Sequence, residues 1–115
     1  MTHATLDELH KELRRGSITE ADIRLRGGTE KIEGVCNKVT DQVFVNPQPS
    51  LVEVLLHELI HRRYKRWGEQ RVTAEAIRLR NQMTPNDIAT WFRRYQRIVT
   101  KRDTPVRFPK EDVAL

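Results

Sequence analysis

Residues 50–63 read S-L-V-E-V-L-L-H-E-L-I-H-R-R and contain His57-Glu58-Leu59-Ile60-His61, an H-E-x-x-H. Leu51, Val52, Leu55, Leu56, Leu59 and Ile60 recur at helical spacing, and Glu53, His57, Glu58 and His61 share the other side. Ser50 with Glu53 three residues later forms an S-x-x-E capping box, and Pro49 breaks the chain just ahead of it. The spacing therefore predicts a helix. On a helix, His57 and His61 are one turn apart on one face and can share a metal ion. Glu58, about 100° further round, sits beside that ion as a base for water rather than as a ligand.

An accidental match to the motif is expected on the order of once in several hundred chains of this size. Three polar groups on so apolar a helix are costly to bury without partners. A zinc ion would satisfy two of them together.

The chain has 115 residues, which suits one small domain with one core. Hydrophobic residues make up 37% and charged residues 32%, a soluble globular composition. No apolar run approaches a membrane span, and the N-terminus lacks a basic-then-apolar signal pattern. A cytoplasmic location is the expectation, with no membrane partner. Cys36 is a lone cysteine, so it makes no internal disulfide and no Cys-rich zinc site. Any metal site must use His and carboxylate. The net charge of +5 leaves weak nucleic-acid association through a basic surface open. No basic run is read as interleaved with aromatics in the way a stacking platform requires.

Residues 5–15 read as a first helix, capped by Thr5 with Glu8 and followed by Gly16. Residues 21–26, 31–39 and 42–46 read as three short strands, with turns at Gly27-Gly28 and at Asp41. Gly34 marks a bulge. Residues 69–83 form a further helix with Val72, Ala76, Leu79 and Met83 on one stripe. Thr84, Pro85 and Asp87 start a last helix whose apolar face holds Ile88, Trp91, Phe92, Tyr95, Ile98 and Val99. His3 and His10 read as surface residues. The expected fold is α+β: a three-stranded, mostly antiparallel sheet packed on a central H-E-x-x-H helix, with one N-terminal and two C-terminal helices. Residues 1–102 form the domain, and residues 103–115 a polar, flexible tail.

Catalytic zinc takes three protein ligands and leaves one position open. Tyr64 and Trp67 stand where a metzincin has Gly and its third His, so that class is excluded. No His follows His61, which leaves Glu69 and Glu75 as nearby carboxylates. If the two helices run antiparallel about a turn at 66–68, the residue level with the His pair is Glu75. Glu69 then serves as a helix cap or outer support, and returns as a ligand if the helices cross steeply.

The L-L-H-E-L-I-H run followed by a turn and a Glu-bearing helix resembles small gluzincin-like metallopeptidases, the minimal single-domain proteins of the ImmA/IrrE and SprT-like groups found in phages and prokaryotes. Glu75-Ala76 with Met83-Thr84-Pro85 is similar to the ligand helix of the ImmA/IrrE group. The zinc ribbon of full SprT-like proteins has no counterpart here. The resemblance implies one zinc ion per chain on His57, His61 and Glu75, with Glu58 as general base, and a peptide or protein as substrate. Tyr64 and Tyr95 are candidate donors to the oxyanion, and a strand edge within 31–46 could hold an extended peptide. The competing expectation is a zinc-stabilised, non-catalytic interaction or DNA-associated regulatory module.

Overall fold

A computed structural model describes residues 2–26, 32–46, 51–102 and 105–109. The predicted Gly27-Gly28 turn, the Pro47-Gln48-Pro49 segment and the Ser50 cap lie outside them.

The protein is a mixed α+β fold with four helices and a small sheet among the described residues. Helix α1 spans Leu6–Arg14, and the Thr5 side chain accepts from the Glu8 backbone N–H at its start. Gly16 then adopts φ 74°, a left-handed conformation that costs glycine little. Strands β1 (Ile18–Glu20), β2 (Ile23–Leu25), β3 (Gly34–Asn37) and β4 (Gln42–Val45) follow. Helices α2 (Leu51–Arg63), α3 (Glu69–Gln82) and α4 (Pro85–Ile98) come next, then β5 (Thr100–Lys101) and β6 (Val106–Phe108). Helix α4 begins in the expected capping box: Thr84 and Asp87 each bond the other's backbone N–H.

The sheet differs from the expected three antiparallel strands. Four strands lie in the order β3-β4-β1-β5, and only β3 with β4 is antiparallel. Strand β1 is parallel to both β4 and β5, and β2 pairs separately with β6, also in parallel. The extra strands come from segments too short to show a period. β1 is three residues long, directly after Ser17 at φ 56°. The C-terminal segment expected to be a flexible tail instead places Val106–Phe108 beside β2, with Phe108 against Phe44 at 5.1 Å between ring centres.

The strand faces alternate as a pleated sheet requires. Val43 and Val45 join the main core with α1, α2, α3 and α4, whereas Val35 and Phe44 join Ile23, Ile32 and Phe108 in a second cluster. Helix α2 packs against β3 and β4 and against the other three helices. It is buried well beyond the expected half: Leu55, Leu56, Leu59 and Ile60 are enclosed, as are Glu58, His61 and Arg62.

Arg62 is the cross-brace of this arrangement. Its Nε donates to Glu12 Oε1 at 2.9 Å, and its terminal nitrogens donate to the carbonyls of Glu12, Gly16 and Asp41. Glu12 also accepts from Arg15 at 3.0 Å. One guanidinium thus ties α2 to the end of α1 and to the β3–β4 turn.

Candidate metal centre

The last two turns of α2 bring His57 and His61 together as the motif predicts. Their Nε2 atoms are 3.2 Å apart. The carboxylate that meets them is Glu69, the first residue of α3. Its Oε1 lies 2.6 Å from His57 Nε2, and its Oε2 lies 2.7 Å from His61 Nε2. Among the described residues, His57, His61 and Glu69 are the group whose ligand atoms could hold a metal ion.

Glu75 is elsewhere. Its Oε1 receives His3 Nδ1 at 2.7 Å, and its Oε2 receives Arg78 Nε at 2.9 Å. The carboxylate beside the histidines is therefore Glu69, and the expected Glu75 pairs with His3 and Arg78 instead. The reason is angular. Residues six apart on a helix differ by about 240° in direction, so Glu69 and Glu75 flank the buried Val72–Ala76–Leu79 stripe on opposite sides. The histidines lie on the Glu69 side. The other side holds His3, a surface residue as expected but bonded to Glu75, and Arg78, whose guanidinium also reaches the Ala4 carbonyl at 2.6 Å.

The donor set fits a divalent ion. Tetrahedral zinc with Zn–N near 2.05 Å separates two nitrogens by about 3.3 Å, close to the 3.2 Å observed. Burial, and next the neighbouring His57, lower the pKa of His61, which favours a neutral ring with a lone pair to give. His61 Nδ1 is buried without a hydrogen-bond partner among the described residues.

Glu58 is 6% exposed and stands outside the cluster formed by the ligand atoms of His57, His61 and Glu69. Burial first, then the charges of Glu69 and Glu33, push its carboxyl up to about 8. Strand β3 passes directly over it. A Cβ built on Gly34 would stand 2.8 Å from Glu58 Oε2 and 2.9 Å from both Glu58 Cγ and Val54 Cγ1. The glycine read as a bulge is a close approach of backbone to carboxylate, a demand that sequence spacing does not reveal. Gly34→Ala is expected to cost about 1–3 kcal/mol through overpacking, read as a lower urea midpoint. An unchanged midpoint would show that β3 does not press on Glu58.

The remaining candidates are occupied. Tyr64 donates its hydroxyl to Glu8, and burial with that carboxylate pushes its phenol up to about 12. Tyr95 donates to Glu20 at 2.6 Å. Burial, then the Glu58 charge, push the Cys36 thiol up to about 12, so it offers no thiolate at neutral pH. No protein-family model, curated protein or solved structure gave a match to this chain.

Proposed function

We propose that the chain is a zinc-dependent peptidase whose metal is held by His57, His61 and Glu69, with Glu58 as the general base. The observation that carries this reading is the bridging of both Nε2 atoms by one carboxylate, with a buried glutamate next to His57 on the same helix. When bound, the ion supplies a Lewis acid that acidifies water and polarises a carbonyl. Glu58 accepts the proton of the attacking water and passes it to the leaving amine. Gly34 lies close against the carboxylate, and the Glu58 side chain is buried, which limits water around it. Strand β3 is an edge of the sheet among the described residues, so an extended peptide can pair with its backbone next to Glu58.

Glu58→Gln is the test. It keeps the size of the side chain and removes the base. Turnover of quenched peptides is expected to fall by about 10²–10⁴-fold, with zinc content by metal analysis unchanged. A variant that cleaves like wild type, or a zinc-loaded wild type that cleaves nothing, overturns the peptidase reading.

The competing reading, a non-catalytic zinc-stabilised or DNA-associated module, draws on the exposed Arg93, Arg94 and Arg97 of α4. Aromatics are interleaved with basic residues at 63–71, contrary to the sequence expectation, but their rings are taken. Tyr64 and Trp67 stack on each other at 4.0 Å, and Arg71 lies over Trp67 at 3.7 Å. Ring faces that a base would need are thus already covered. Steeply salt-dependent DNA binding that Glu58→Gln leaves untouched would favour this second reading.

A further inference from the structure

The ends of β3 carry opposite charges. Glu33 precedes Gly34, the residue seated on Glu58, and Lys38 follows Asn37 at the other end. Both side chains are exposed. Among the described residues, Glu33 has no cation partner. Lys38 has no carboxylate partner; its Nζ donates to the Lys65 carbonyl at 3.0 Å, just past the end of α2. That bond sets the ammonium on the side of the sheet where the histidine-bearing end of α2 lies. The position is held from the strand as well. Asn37 Oδ1 accepts from the backbone N–H of Val39 and Thr40, at 3.0 and 3.1 Å, which fixes the turn that bears Lys38.

Three other cations near the site are already engaged. Lys65 pairs with Asp41 at 2.6 Å, Arg63 with Glu8 at 3.5 Å, and Arg71 with Trp67 and the Thr2 carbonyl. Glu33 and Lys38 are exposed charges at the two ends of β3, whose outer edge is unpaired among the described residues.

We infer that Glu33 and Lys38 select the substrate: an extended peptide bearing a basic residue on one side of the scissile bond and an acidic residue on the other. This rests on the peptidase reading above. A strand paired along β3 advances about 3.3 Å per residue. Its residue beside Gly34 lies at Glu58, a basic side chain next to it reaches Glu33, and an acidic one a few residues away reaches Lys38. A peptide with the two charges exchanged meets like charge at both ends. Substrate strands of uniform charge gain at one end what they lose at the other.

The test uses zinc-loaded wild type and three internally quenched peptides with the same apolar centre. One has Lys before and Asp after that centre, one has the reverse order, and one has Gln at both places. Wild type is expected to prefer one charge order over the other by about tenfold in kcat/KM, the worth of two exposed ion pairs. The preference shrinks as salt is raised. Glu33→Lys combined with Lys38→Glu is expected to reverse it. Neither position is part of the metal or proton machinery, so the rate on the uncharged peptide stays near wild type. Equal rates for both orders, or a preference that survives the double exchange, overturns the inference and leaves the peptidase reading standing. Cleavage of none of the three peptides overturns both.

Discussion

Glu69→Ala is expected to abolish stoichiometric zinc binding, while Glu75→Ala leaves it intact. Glu69 places one oxygen on each histidine, so its loss takes away a ligand and the group that aligns the two rings. The fall in affinity should exceed the about 10–100-fold cost of losing an outer-shell partner. His61→Ala should do at least as much, since its ring is the more deeply enclosed of the pair. Glu75→Ala breaks contacts with His3 and Arg78, whose side chains are 52% and 33% exposed. Water can replace that carboxylate at both partners, so a stability loss of about 1 kcal/mol or less follows. Titration of each metal-free variant with zinc, followed by the rise in melting temperature, separates the outcomes. Zinc affinity lost in Glu75→Ala and kept in Glu69→Ala would reverse the assignment. No zinc response in the wild type would remove the metal centre altogether.

The sequence was informative where a local rule acts alone. Thr5 and Thr84 mark helix starts because a capping hydroxyl reports on backbone groups three residues away. The His57–His61 spacing is meaningful because four residues make one turn. The position of Glu69 beside the histidines is not legible in the sequence, because it depends on a direction around α3 as much as a height along it. Level counting from the turn selects Glu75; rotation about the buried stripe separates the two glutamates and leaves only the choice of side. That choice is set by His3 and Arg78, and His3 is distant in sequence. The same limit applies to the sheet. The β3–β4 hairpin is local and was legible, whereas β1 and β5 join it in parallel across long connections. Their register is decided by packing of the whole chain rather than by alternation within Ile18–Glu20 or Thr100–Lys101. Gly34 illustrates the most hidden kind of constraint: its small size matters because of Glu58, a residue on another element.

Arg62→Ala is expected to destabilise the fold by about 3–5 kcal/mol, the usual cost of removing one partner from a buried ion pair. That is a large share of the roughly 5–15 kcal/mol that holds a domain of this kind together. Arg62 is 2% exposed and Glu12 6%, so water cannot readily take the missing place. The carbonyls of Glu12, Gly16 and Asp41 lose a donor as well. Arg15 still reaches Glu12, but it is half exposed and does so through a single nitrogen. Arg62→Met with Glu12→Leu should recover much of the loss, because the charge that needed a partner is gone. Urea unfolding of both variants checks this, and a single-variant loss under about 1 kcal/mol would show that the pair is solvated. The effect reaches the metal centre through the chain itself. Arg62 follows His61 directly and holds the end of α2 against two turns with positive φ, at Gly16 and Asp41. In Arg62→Met with Glu12→Leu, apolar packing restores stability but supplies no hydrogen bonds to those turns. Zinc affinity should therefore stay below wild type in that variant even where its unfolding midpoint recovers, which separates the brace's part in stability from its part in placing His61.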